Sequence, residues 1–431
     1  MVAPARLSRP VQRCMVLRAP VSLWPSVCVA GVEVESSQAT WMPYIERICM
    51  INYACRYFRA SKPCVFNKSN GSECSSCDHV SEYRDRVLFI KLDAIGDVLR
   101  SASLLPIIIA RHDAPYIAWL TRSQSAELVA MMHHVDEVIE LSPEGLVRVT
   151  TGAWDHVYSL SNDLPSASLA TAAASKTTPV GYYVTNGGLR PSNEAASHWL
   201  EMAAFDRVKR ANKRSYQQLM LAIIGAADEP VPAPELRVAP TLQTAVAARV
   251  SQLFSGRPRQ RVAVNVGSGG RWPKKMLTAE QIYRYSQLLR DRADVDVLLV
   301  GGSSEVDKAA AILTMRRPDD RIEAALTESS IAQFVATLRE VDALLCGDTL
   351  ALHIATAVGL PTVAVFGPTS PSEIFDFGGL VAKVWTRELD CLVCYGDCNK
   401  EANCMSTLDL AALADLTVQQ LRRARSTHVG R

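Results

Sequence analysis

The chain has 431 residues, with 46 Lys and Arg against 44 Asp and Glu, for a formal net charge of +2. That length accommodates two full α/β domains, each burying its own core. The balanced charge, with no basic block, argues against a nucleic-acid partner, and no apolar run reaches the length of a bilayer crossing, which leaves only docking at a membrane surface open.

Residues 1–48 carry four early arginines (Arg6, Arg9, Arg13 and Arg18) and several prolines without a sustained period, and are expected to form a poorly ordered extension. Their short apolar stretch is interrupted by Pro20 and Pro25, unlike a secretory leader. Residues 49–82 form a cysteine-rich segment spaced C-x8-C-x9-C-x2-C through Cys55, Cys64, Cys74 and Cys77. Clustered cysteines point to metal or cross-links, and the closing C-x2-C lets two sulfurs reach one tetrahedral ion.

From Arg86, RVLFI reads as a continuous apolar strand of a buried parallel sheet. The loop Lys91–Asp97 and a helix over Val98–Ala110 follow. Gly96 permits a tight turn that holds Asp97 at the lip of the sheet, as a reactive carboxylate or as a helix cap. Strands YIAWLT (116–121), VDEVIE (135–140) and WDHVYSL (154–160) continue the sheet, the last delivering Ser161, Asn162 and Asp163 to the same rim. Asp163 suits acceptor hydroxyls or is a solvated loop acid. In the helical stretch Asn193–Tyr216, Lys209, Arg210, Lys213 and Arg214 face either an acidic glycan or water. Proline-dense residues 226–240 separate a first domain, 84–235, from a second, 241–385.

The second domain opens with RVAVNV (261–266), leading into Gly267-Ser268-Gly269-Gly270, a turn whose N–H groups suit a diphosphate. Arg271, Lys274 and Lys275 precede a capping-box pattern at Thr278 and Gln281. Cations there oppose the helix dipole, a conflict that a bound anion removes. A strand at 294–302 and helices at 305–315 and 329–338 follow. Residues 341–371 then form one βαβ unit: a strand at 343–346, the turn Gly347-Asp348-Thr349, a helix at 350–358 and a strand at 362–366. Loops at strand carboxyl ends collect ligands, so the N–H groups from Thr349 onward face an anion, while Asp348 grips hydroxyls or caps the helix. Alternating strands and helices predict an α/β protein with parallel sheets in both halves. Residues 386–431 carry Cys391, Cys394, Cys398 and Cys404 in a C-x2-C-x3-C-x5-C array before a closing helix. Four such thiols can surround one zinc or iron ion, with disulfides as the alternative.

Three segments, RVLFIKLDAIGDVLRSASLLP (86–106), Gly267–Lys275 and GDTLALHIATAVGLPTVAVFGPTSP (347–371), together resemble glycosyltransferase family nine, the ADP-heptose lipopolysaccharide heptosyltransferases and their relatives. The resemblance spans residues 86–421 and implies the GT-B fold, two Rossmann-like domains facing across a cleft, here with cysteine-rich segments at both ends. It implies Asp97 as general base and Lys275, with Arg271 or Lys274 as second choices, at the donor phosphates. Gly267, Ser268, Thr349, Leu350 and Ala351 would complete the donor site, Asp348 would hold sugar hydroxyls, and His353 is a further contact or a packed residue. The implied reaction is inverting transfer of heptose from ADP-heptose to a glycan acceptor of the lipopolysaccharide-precursor kind, in the cytoplasm or against the inner membrane. No catalytic metal is expected, since no DxD-like acidic pair stands at the phosphate turn; a structural zinc or iron on the cysteines fits members that carry one. A sugar-nucleotide epimerase of similar architecture and a non-catalytic nucleotide-sugar binder with a cysteine-bound metal are the alternatives.

Overall fold

The computed structural model describes residues 51–174, 176–255, 259–267, 275–326, 330–387, 389–396 and 398–428; the 1–48 extension, Cys49, Ser268, Arg271 and Lys274 lie outside them. The described residues divide into two compact units, 51–81 and 82–428.

Residues 51–81 are held by aromatic rings. Their helix, Val65–Asn70, is capped by the Cys64 thiol, which accepts the Asn67 N–H at 3.4 Å, and ends on Gly71 in the left-handed region that glycine tolerates. Tyr57 packs edge-on against Phe66, and Phe66 stacks on His79 at 3.9 Å. Together with Cys55, Cys64, Cys74 and Cys77 these rings line a cavity of about 370 Å³.

Residues 82–428 contain two six-stranded sheets. The first comprises β1 (Arg86–Ile90), β2 (Tyr116–Thr121), β3 (Glu137–Glu140), β4 (His156–Ser159), β5 (Val180–Thr185) and β6 (Gly188–Pro191), in the order β3-β2-β1-β4-β5-β6. The second comprises β7 (Gln260–Asn265), β8 (Val295–Gly301), β9 (Ile322–Leu326), β10 (Ala343–Gly347), β11 (Thr362–Val365) and β12 (Val381–Val384), in the order β12-β11-β10-β7-β8-β9. Every pairing is parallel except the β5–β6 hairpin. Each sheet therefore reverses direction between its first and fourth strands, the point where an open parallel sheet leaves a crevice. Strands β2, β8 and β10 are buried along their whole length, as helices on both faces require. One apolar cluster runs continuously through both halves, from Phe89 and Leu104 to Phe334, Leu352 and Leu344. The others fill the outer face of each sheet.

Three local differences from the sequence reading have physical causes. The segment expected as one helix over 98–110 begins earlier and breaks into Ile95–Ser101, a 3-10 turn Ala102–Leu104 and Leu105–Ala110. Pro106 has no N–H to give the preceding turn, which interrupts the ladder there. The β5–β6 hairpin was not anticipated, although Asn186-Gly187, both at positive φ, is a strong two-residue turn signal. Strands β9 and β12 also went unread, being short and only partly buried. Among the described residues no helix is long and apolar enough to cross a membrane.

Candidate active site

On the first half, the crevice is built where β1 ends. Lys91, 2% exposed, donates to the Leu160 carbonyl at 2.7 Å and lies 2.8 Å from Asp93 Oδ2. Ser161 Oγ donates to the same Asp93 carboxylate and accepts the Leu92 N–H at 3.0 Å. The residues after β1 and after β4 are thus tied together beneath the crevice.

Asp97 is not the helix cap, as one sequence reading had it. Ala94 occupies that position without a side-chain bond, and Asp97 sits in the first turn, where a negative charge suits the dipole. Its carboxylate pairs with Arg100, whose guanidinium lies over the Tyr216 ring at 4.2 Å from the centroid. The Tyr216 hydroxyl meets Ser101 Oγ at 2.8 Å, and Ser101 in turn donates to the Asp97 carbonyl at 2.8 Å. Burial pushes the Asp97 carboxyl up, but Arg100 and Lys91 outweigh it and hold the group below its ordinary value. Asp97 is therefore ionised at neutral pH and positioned from three sides.

On the second half, β10 ends at Gly347, where a Cβ would come within 2.9 Å of the Lys275 carbonyl; only glycine lets the Lys275 segment cross so close. Thr349 takes the N-cap position of the Leu350–Ala357 helix without capping it through its side chain. The Thr349 hydroxyl instead accepts the Asn265 amide at 3.3 Å. The helix ladder starts with the Leu352 N–H donating to the Thr349 carbonyl at 3.1 Å, and Thr349, Leu350 and Ala351, whose N–H groups precede it, all line the cleft.

Asp348 is likewise not the cap. Its carboxylate lies 3.2 Å from Lys275 Nζ. Burial works against its charge, yet Lys275, His353 and Arg100 hold the carboxyl below its usual range. His353, one turn into the helix, is 6% exposed with Nε2 4.0 Å from Asp348 Oδ1. Burial, then Arg100, push its pKa down to about 3, so the imidazole is neutral. Gly96 is required by this ring rather than by a turn: a Cβ there would stand 2.9 Å from His353 Cδ2.

The two crevices open into one cleft of about 630 Å³, within the size range of small-molecule sites. Asp97 and Arg100 line it from the first half, and Gly267, Lys275, Asp348, Thr349, Leu350, Ala351 and His353 from the second. Asp163 is not among the lining residues. It caps the Leu164–Ala173 helix, accepting the Ser166 N–H at 2.9 Å and the Ser166 hydroxyl at 2.7 Å. The thiols of Cys391, Cys394, Cys398 and Cys404 share one loop, pinned to the Gly367-Pro368 turn by the Val393 and Tyr395 N–H groups at 3.0 and 2.8 Å. Cys404 Sγ occupies the space left by the missing side chain of Gly367. Among the described residues no disulfide forms, and no three thiols come within 4.8 Å of one another.

Sequence reasoning passed over several residues of the cleft, among them Arg100, Asn265 and Glu305. Arg100 was visible as a basic residue one turn after Asp97. Asn265 closes β7. Glu305 accepts the Gly302 N–H at 2.8 Å and lies directly over Gly267, where any side chain would collide with it. Its signal was an acid just beyond the second strand of a parallel sheet.

The sequence model of glycosyltransferase family 9 (heptosyltransferase) matches residues 147–404, more than half of the chain. No curated protein matches by sequence. The fold is similar to that of ADP-heptose lipopolysaccharide heptosyltransferase II from E. coli, with a TM-score of 0.61 and 16% identity over 79% of this chain and 99% of that one. A family 9 glycosyltransferase from Veillonella parvula gives 0.60 and 14% over 79% and 98%. The E. coli heptosyltransferase WaaC with ADP gives 0.51 and 16% over 79% and 99%. With the family match over this two-sheet frame, the chain belongs to glycosyltransferase family 9, the heptosyltransferases.

Proposed function

We propose that the protein transfers heptose from ADP-heptose to a hydroxyl of a glycan acceptor of the lipopolysaccharide-core kind, with inversion at the anomeric carbon. The observation that carries this reading is the sharing of one cleft by the Asp97 carboxylate and, on the opposite half, Lys275 with an uncapped helix N-terminus. Two solved structures with this fold are heptosyltransferases, one of them holding ADP.

The acceptor hydroxyl lies on the first half, and Asp97 takes its proton as the oxygen forms a bond to the anomeric carbon. The bond from that carbon to the diphosphate breaks on the opposite face, and ADP departs with the electron pair. Charge developing on the diphosphate meets Lys275 and the N–H groups of Thr349, Leu350 and Ala351, fixed in place before the reaction begins. Asp348 holds Lys275 and the sugar hydroxyls, and Glu305, beside the glycine turn after β7, accepts from the ribose. Such substrates suit a reaction in the cytoplasm or against the inner membrane.

Cys391, Cys394, Cys398 and Cys404 hold a structural zinc or iron ion in the same reading, with Cys55, Cys64, Cys74 and Cys77 as the second set. Four thiolates are a donor set for either ion, which would tie the loop together without an open position for chemistry. Metal analysis of the purified chain checks this, with loss of the ion expected in Cys394→Ser.

Mass spectrometry of the chain incubated with a panel of nucleotide sugars and a core-type acceptor tests the reaction. A heptosylated acceptor formed only from the ADP-linked heptose supports it. Conversion of a nucleotide sugar in the absence of any acceptor makes the protein an epimerase instead.

A further inference from the structure

The first sheet brings together a second set of ligand-type side chains, at the strand starts, the end opposite the cleft. Asp85 directly precedes β1, His156 opens the adjacent β4, and His112 follows the Leu105–Ala110 helix. Asp85 Oδ2 lies 3.8 Å from His112 Nδ1 and 4.0 Å from His156 Nε2, and the three atoms are all within 4.8 Å of one another. These separations exceed hydrogen-bond reach, so the three groups meet at ion-pair distance without a hydrogen bond among them.

Two of the members are held from outside the cluster. The Asp113 N–H donates to Asp85 Oδ2 at 2.8 Å. His112 Nε2 is engaged by the Tyr158 hydroxyl at 2.9 Å, which leaves Nδ1 turned toward Asp85. The His112 and His156 rings face one another at 4.0 Å. His112 is 10% exposed, while His156 and Asp85 keep about a third of their side chains in contact with solvent.

Two imidazole nitrogens and a carboxylate oxygen form a donor set for zinc-class ions, and a partner on the far ring nitrogen is the usual orienting device. Bonds of about 2.0–2.2 Å at tetrahedral angles place ligand atoms roughly 3.3–3.6 Å apart, so side-chain shifts of about half an ångström gather them. We propose that Asp85, His112 and His156 bind a divalent transition ion of the zinc class, at a site separate from the transfer cleft. Water fills the fourth position. The ion's place at the strand starts, with Asp97 at the other end of β1, makes it a tie between β1, β4 and the turn at 111–113 rather than part of the chemistry.

Titration of the full chain with Co²⁺, using Zn²⁺ as competitor, tests the site in the presence of the cysteines. Cobalt on imidazole and carboxylate absorbs in the visible without the thiolate charge-transfer band that cysteine sites add. The expected result is one equivalent of thiolate-free cobalt, displaced by zinc and absent from His156→Asn and Asp85→Asn. Tyr158→Phe keeps every carbon of the core and tests the site should a ligand variant not fold; it should weaken that equivalent by roughly 10–100-fold. Cobalt binding that carries the thiolate band throughout, or that is unchanged in Tyr158→Phe and the ligand variants, overturns the assignment.

Discussion

Asp97 and Arg100 show how one residue's chemistry depends on its partner. Arg100 lies on Tyr216 and holds the Asp97 carboxyl below its ordinary value, so the carboxylate is ionised at neutral pH. Asp97→Asn should lower turnover by roughly two to four orders of magnitude. Because Asp97 pairs with a buried arginine and does not cap its helix, the same change should cost about 1–3 kcal/mol of stability, less than a fully buried pair because the carboxylate side chain is 30% exposed. Arg100→Gln separates the two roles. It should keep turnover within about tenfold while the acid limb of the pH–rate profile moves up toward the ordinary carboxylate value. An unmoved limb would mean that Asp97 is not the titrating base.

His353 makes an independent prediction at this scale. Its ordinary pKa of 6.5 is pushed down to about 3, chiefly by burial. As pH falls through that window the unfolded chain takes up a proton that the folded chain refuses, so stability declines by at most about 1.4 kcal/mol per pH unit. Asp97 and Asp348, both depressed, add a further loss only below the usual carboxylate range. Melting temperature against pH should be flatter in His353→Gln than in the wild type across the imidazole window; parallel curves would remove the effect from His353.

At the scale of elements, the helices that meet across the cleft are set by small details of packing. Gly96→Ala places a methyl group against the His353 ring and should cost about 1–3 kcal/mol by overpacking. His353→Ala in the same chain should recover most of it, as a double-mutant cycle in unfolding free energy would show. Glu127, on the Ser123–Ala130 helix of the first half, caps the Ile331–Leu338 helix of the second. It accepts the Ile331 and Ala332 N–H groups at 3.0 and 3.1 Å and the Ser330 hydroxyl at 2.9 Å. Glu127→Ala should speed amide exchange at Ile331 and Ala332 and cost roughly 1–2 kcal/mol. Protection unchanged at these amides would show that the cap does not join the halves.

These contacts mark where the sequence stops being legible. The buried strands β1, β2, β8 and β10 declare themselves as apolar runs, and the Thr278–Gln281 capping box is present as read. Gly96 read as a turn residue because a glycine beside a loop usually is one; its actual reason lies in His353, which only tertiary packing brings near. Arg100 drew no reading from the sequence, since nothing local reveals that Tyr216 will lie against it. Asp163 stood at the correct rim by strand order, but its carboxylate is taken by Ser166 in the next turn.

At the scale of the whole molecule, the two sheets repeat one plan down to single hydrogen bonds. Asp155, just before β4, accepts the Arg86 N–H at 2.8 Å, and Asp342, just before β10, accepts the Arg261 N–H at 2.7 Å. The same carboxylate thus fixes the first strand against the fourth in each half, and each switch point opens toward the other. In the proposed reaction this repetition gives the halves separable duties: Lys275, with the helix start, would bind the donor, and Asp97 would act on the acceptor.

Donor affinity measured beside turnover in Asp97→Asn and Lys275→Ala tests that division most directly. Asp97→Asn should bind ADP within about threefold of wild type yet transfer sugar roughly two to four orders of magnitude more slowly, whereas Lys275→Ala should weaken ADP binding at least about tenfold. Wild-type transfer by Asp97→Asn, or unaltered ADP affinity in Lys275→Ala, would contradict the assignment of the two halves.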